Sequence, residues 1–182
     1  MFDSDGYALK FIQRDRIKDQ SAHLQSYIYK FFSEKTKLFY IVKADYHKYN
    51  VFAIKFYPKS YRGYKEKYNT ITNKGDVQNI LITCAKVIPL LLKDFPTSSF
   101  GFIGSPSIDA RSNRVENYVI NQRFRIYRQI VSQKIGTSTF VHFEYEQISA
   151  YLLINRANSD IQTYELNVSQ MFCETYDDIV NI

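Results

Sequence analysis

The chain has 182 residues, 45% hydrophobic and 16% aromatic, with a formal net charge of +6. That length suits one domain with a sizeable core, and only 6 Gly and 4 Pro exclude collagen-like and low-complexity classes. The charge is uneven: residues 1–156 carry 24 Lys and Arg against 13 Asp and Glu, whereas residues 157–182 carry five acids and no base. A basic body favours polyanionic partners such as RNA, DNA or an acidic protein. No apolar run approaches the ~18 residues of a membrane span, and the opening MFDSDGYALKF lacks the pattern of a signal peptide. Cys84 and Cys173 form no metal-ligand spacing, and no cofactor motif is present. The expectation is a cytoplasmic protein with no cofactor, no metal and no membrane contact.

Residues 1–22 read as a polar lead-in, one helical turn or an edge strand. Leu24 to Lys43 holds two β-branched and aromatic runs around Ser33-Glu34-Lys35-Thr36, a hairpin signal. Residues 49–57 make a third strand, whose alternation predicts Asn50, Phe52, Ile54 and Phe56 on the core face and Val51, Ala53, Lys55 and Tyr57 on the other. Tyr64 to Ile71 reads as a fourth strand. Asp76 is placed to cap a helix over about 76–95, with a kink or a change of helix near Pro89. SFGFIG, from Ser99, reads as a short central strand. A second helix follows over about 108–134, capped by Ser107 or Asn113 and closed by Gly136. Thr139–Glu144 and Ile148–Asn155 complete an antiparallel or mixed sheet. The expected class is α+β: a sheet packed by two main helices, as one domain over 1–156, with an acidic C-terminal tail over 157–182. That tail carries Tyr164, Leu166, Val168, Met171 and Phe172, so it either packs back on the body or stays loosely ordered.

Two segments are candidate nucleic-acid-binding surfaces. On a continuous second helix, Arg111, Arg114, Tyr118, Asn121, Arg125, Arg128 and Ser132 share one ridge at 3-4-3-4 spacing. Arginine presents a planar fork that matches phosphate, and the ridge contains no acid. Arg123 falls inside the apolar arc near Glu116, so the two are expected to form a structural ion pair. The second segment, FYPKSYRGYKEKY, interleaves Lys59, Tyr61, Arg62, Tyr64, Lys65 and Lys67, suited to neutralising phosphates and stacking bases. Its alternative is a solvated face whose lysines guard an edge against aggregation.

GFIGSPS meets neither the dinucleotide pattern nor the P-loop pattern, so Ser105 and its neighbours read as a strand–helix connection. For catalysis the weak candidates are His142 and Glu144 on one strand face, a pair that a metal-independent ribonuclease would use as general base with a nearby arginine.

Ile71, Thr72, Asn73, Gly75, Asp76, then Phe95, Pro96, Gly104, Ser105, Arg111 and Arg114 resemble a family of small bacterial proteins of unknown function. Those read Ile-Thr-Asn-x-Gly-Asp, an apolar helix, a strand ending Gly-Ser, and an Arg-bearing helix. The resemblance spans about residues 45–156 and implies a compact α+β domain in a mobile or defence-gene setting. The leading expectation is therefore a nucleic-acid-interacting protein, RNA slightly preferred, toxin-like or defence-associated. The alternatives are a module that docks an acidic partner such as an antitoxin, and a metal-independent ribonuclease.

Overall fold

A computed structural model describes residues 5–69, 75–108 and 114–176. The fold is α+β. Seven strands form one mixed, mostly antiparallel sheet: β1 (Lys10–Arg16), β2 (His23–Ser33), β3 (Leu38–His47), β4 (Val51–Pro58), β5 (Ser99–Ile103), β6 (Phe140–Tyr145) and β7 (Ala150–Asn155). Their spatial order is β1-β2-β3-β4-β5-β7-β6, and only the β4–β5 pair is parallel. The lead-in is thus an edge strand, and the predicted hairpin and central strand are in place.

The first sheet face carries the larger core. Tyr27, Tyr29, Phe31, Tyr40, Val42, Phe52, Ile54, Phe100 and Phe102 point into it, meeting Ile80, Leu81, Cys84, Val87, Ile88, Phe124, Tyr127 and Ile130 from the helices. The first predicted helix changes near Pro89 into two, α1 (Val77–Ala85) and α2 (Val87–Leu91), with the break at Lys86. Pro89 sits within the first turn of α2, where its missing amide costs nothing. Asp76 occupies the position before α1, but its carboxylate makes no cap bond there. It accepts instead from Ser33 Oγ (2.5 Å), Tyr7 Oη (2.8 Å) and Asn79 Nδ2 (2.8 Å), tying α1 to the β2–β3 turn.

The second predicted helix is much shorter. α3 spans Gln122–Ile130 and passes into a π-helical turn, Val131–Ile135, ended by Gly136 in the left-handed region (φ 68°). Asn121 caps it, its side chain accepting from the Phe124 amide at 2.9 Å; the predicted cap Ser107 lies well upstream, and Asn113 lies outside the described residues. Residues 114–121 are irregular because longer-range bonds win over helix propensity. Glu116 accepts from the amides of Ser107 (3.2 Å) and Gln122 (2.5 Å), Ile120 N–H donates to Glu146 O (3.1 Å), and Asn121 N–H donates to Ser149 Oγ (2.9 Å). Gly104 makes this possible: a Cβ there would lie 2.5 Å from Asn121 Oδ1. The predicted strand at Tyr64 is a run of turns through Asn69, with residues 70–74 outside the described set.

The second face holds a separate, smaller core. The C-terminal segment packs back on the body, as one of its two expected states, through a 15-residue helix, α4 (Ile161–Thr175). Asp160 caps it, accepting from the Thr163 amide at 3.1 Å. Val168, Met171 and Phe172 pack on Val51, Ala53, Leu152 and Ile154. Gly101 admits the Phe172 ring, since a Cβ there would come within 3.0 Å of it. The predicted solvent face of β4 is therefore mostly covered: Val51, Ala53 and Tyr57 are buried, as Phe52 and Ile54 are, and Lys55 is half-buried. No helix among the described residues is long and apolar enough to cross a membrane.

Phe172 is 4% exposed and Leu166 is 65% exposed. Phe172→Ala is expected to cost about 3–5 kcal/mol and Leu166→Ala under about 0.5 kcal/mol, read from urea unfolding. Equal, small effects would mean that α4 is not part of the cooperative fold.

Candidate functional site: a half-covered sheet face

α4 covers the second face over β4, β5, β7 and β6 and reaches β3 only at its His47 end, against Phe172 and Tyr176. On β3 the consequence is a gradient: along one face His47 and Asp45 are buried, Lys43 and Ile41 are half-buried, and Phe39 is exposed. Antiparallel register sets Ser26 beside Asp45, Ile28 beside Lys43, Lys30 beside Ile41 and Phe32 beside Phe39. Lys43 and Lys55 are likewise cross-strand partners. The uncovered strip thus carries Lys30, Lys43, Lys55 and Lys67 interleaved with the exposed Phe39 and the half-buried Phe32 and Tyr68, while Tyr57 is buried against Tyr68. Phe32 and Phe39 rings lie 4.9 Å apart, with Lys30 Nζ 4.9 Å from the Phe39 centroid. Tyr57 and Tyr68 meet edge to face at 5.4 Å, with Lys67 Nζ over both rings at 5.2 and 5.4 Å. Beyond β4, Lys37, Leu38, Phe39, Lys59 and Ser60 line a hollow of about 330 Å³.

Asp45 lies at the covered end and is 1% exposed. Its Oδ1 accepts from Ser26 Oγ (2.6 Å) and lies 3.4 Å from His23 Nε2 and 3.5 Å from Lys43 Nζ; its Oδ2 is 3.0 Å from Lys55 Nζ. Burial alone would raise this carboxyl. The His23 contact, the Lys55 and Lys43 ammoniums and the Ser26 hydroxyl outweigh it and hold the group well below the usual carboxylate range. Burial pushes the Lys55 ammonium the other way, down, with Asp45 opposing. Lys55 also sits 3.9 Å from the Tyr176 ring centroid at the end of α4. His47 Nδ1–H donates to Asp45 O (2.7 Å), which leaves Nε2 to accept from Tyr176 Oη (2.6 Å). The His23 and His47 rings stack at 5.0 Å.

The remaining sequence candidates separate. Lys59, Arg62, Tyr64 and Lys65 are exposed on the turns after β4, and Tyr61 and Lys67 are half-buried. Tyr61 and Tyr64 rings lie 5.4 Å apart. The arginine ridge is not one helix face, because α3 begins only at Gln122. Arg111 lies outside the described residues; Arg114 and Tyr118 are exposed on the irregular segment; Asn121 is the buried cap. Arg125 is exposed on α3, while Arg128 pairs with Glu144 (2.8 Å) and Glu146 (2.5 Å), so acids from β6 and the turn after it enter the ridge. Arg123 is buried at 7% exposure, donates to Tyr68 O and lies 5.1 Å over the Phe56 ring. Glu116 acts on it through its charge, its oxygens being held by the two amides already described.

His142 is bonded at both ring nitrogens. Nε2–H donates to Gly136 O (2.7 Å) and Nδ1 accepts from Tyr151 Oη (2.7 Å), so the imidazole closes a structural link. With Glu144 on Arg128, that pair is not set up as a base. The cluster that does gather titratable groups, His23, Asp45, His47 and Lys55, is one that sequence reasoning passed over. Among the described residues, no group of three His, Cys, Asp or Glu could hold a metal ion.

Burial, with the His23 ring beside it, lowers His47 from 6.5 to about 4. Between those values the unfolded chain binds the proton and the native state does not. Stability from this group is therefore complete above pH 6.5 and lost as pH falls towards 4, by at most about 3 kcal/mol. Asp45 adds a loss of the same sign below the usual carboxylate range. Urea midpoints should fall from pH 7 to pH 5 and further at pH 4; a flat or rising series would contradict the assignment. No family model matches the chain, and no curated protein or solved structure does.

Proposed function

We propose that the uncovered half of the second sheet face binds single-stranded nucleic acid, RNA in preference to DNA. The observation that carries this is the alternation, on one antiparallel face, of lysines with aromatic rings, where the acid among them, Asp45, is buried and already neutralised. Lysines supply phosphate neutralisation and its salt dependence. Exposed or half-exposed rings supply stacking to unpaired bases, which a duplex does not offer. Phe39, 45% exposed, is the outermost ring. Lys59, Tyr61, Arg62, Tyr64 and Lys65 extend the basic aromatic surface past the end of β4. The strip from Phe39 to Asp45 is roughly 20 Å long at strand rise, enough for a short stretch of strand. A toxin-like or defence-associated role is the setting that the family resemblance implies.

The test is binding of a mixed-sequence single-stranded RNA across a salt series. Lys30→Ala/Lys67→Ala should weaken binding and reduce the log–log salt slope by about 0.7 for each phosphate that is no longer neutralised. Phe39→Ala should cost about 1–3 kcal/mol with the slope unchanged. No binding at low salt, or wild-type behaviour in both variants, would overturn the proposal. So would equal binding of poly-glutamate that ignores Phe39→Ala, the behaviour of a surface that docks an acidic protein.

A further inference from the structure

We propose that His23, oriented by Asp45 at the covered end of this face, is the general base of a ribonucleolytic centre that cleaves the bound RNA. The inference rests on the RNA reading of the sheet face and assigns that face a reaction.

The His23 ring is held in one tautomer by its surroundings. Nε2 lies 3.1 Å from Gln25 O, 3.0 Å from Ser26 Oγ and 3.4 Å from Asp45 Oδ1. Ser26 gives its own proton to Asp45, so every one of these oxygens is an acceptor and the ring proton must sit on Nε2. Nδ1 then carries the lone pair, and among the described residues nothing bonds to it. His47, at 5.0 Å, backs the ring and has the opposite tautomer, its Nδ1–H on Asp45 O. A base needs this arrangement: one nitrogen anchored to a carboxylate that stabilises the imidazolium, the other available. His23 retains 17% side-chain exposure and Lys43 25%, whereas Asp45 beneath them has 2%. Reactive atoms and positioning carboxylate are thus layered from solvent inwards. The Lys43 and Lys55 ammoniums adjoin the same carboxylate, where charge develops on a phosphoryl group.

The step balances without a co-reactant. His23 Nδ1 takes the proton of a ribose 2′-hydroxyl, and the freed oxygen pair forms a bond to the adjacent phosphorus. The bond from phosphorus to the 5′-oxygen breaks, and that oxygen takes a proton from the Lys43 ammonium. Lys55 faces the phosphoryl oxygens as their charge grows. The products are a 2′,3′-cyclic phosphate and a 5′-hydroxyl; His23 then returns its proton through solvent to Lys43.

The experiment follows a 5′-labelled single-stranded RNA with the whole chain. Wild type should yield cyclic-phosphate ends and leave the all-2′-deoxy strand bound and intact. His23→Ala should slow cleavage at least 100-fold while its RNA Kd stays within threefold, and added imidazole should restore part of the rate. Asp45→Asn, checked for folding by urea, should lower kcat far more than it raises KM, because Asp45 positions the His23 ring and does not touch the RNA. RNA that is bound but never cut by wild type would overturn this centre and leave the binding face standing. Cleavage undiminished in His23→Ala would overturn it as well, and absence of RNA binding would remove the binding face and with it this centre.

Discussion

A carboxylate buried in the middle of a sheet face dictates what surrounds it. Asp45 sits on β3 at a position that α4 and Tyr176 close off from water, and an unpaired charge there would cost several kcal/mol. Its two oxygens therefore gather Ser26 and His23 from β2, Lys43 from β3 and Lys55 from β4. Its backbone carbonyl fixes His47, which passes the order on to Tyr176 at the end of α4. One side chain thus links three strands and the helix of the second layer. The same arrangement leaves the lysines at the boundary between the dry core and the open strip, where their charges face outwards.

The open strip exists because α4 is too short and too far to one side to cover the whole sheet. Its apolar residues reach Val51, Ala53, Leu152 and Ile154, and beyond β4 the face passes to lysine and aromatic side chains. On the opposite face the helices cover β2 and β3, where Tyr27, Tyr29, Phe31 and Tyr40 are all buried, and only the edge strand β1 with Phe11 stays open. The proposed binding surface accordingly lies on the second face, while the Gly104–Asn121–Ser149 connection serves to hold α3 in place.

Much of this was legible in the sequence. Strand alternation placed Phe52 and Ile54 in the core, and the turn at Ser33–Thr36 set the β2–β3 register. Strand parity puts Lys43, Asp45 and His47 on one face and counting back from the turn sets Ser26 opposite Asp45, but His23 comes opposite His47 only through a bulge between His23 and Gln25, which the turn register alone does not give. The spacing of Ile161, Tyr164, Val168, Met171 and Phe172 behind Asp160 is likewise a helical signal, obscured by the acidic composition of the segment. Two further features were not legible. The helix predicted over 108–134 gives way before Gln122 because Glu116, Ile120 and Asn121 bond to residues distant in sequence, which no local propensity records. The acids that pair with Arg128 come from β6 and the turn after it, so a ridge free of acid along the helix is not free of acid in space.

The most direct measurement of the central claim is a residue-resolved NMR titration of the labelled protein with a short oligouridine. The account predicts amide and side-chain shifts concentrated on Lys30, Phe39, Lys43, Lys55, Tyr57, Lys67 and Tyr68, with α1 and α2 unmoved. Shifts confined to α3 and the segment before it, or no shifts at low salt, would contradict it.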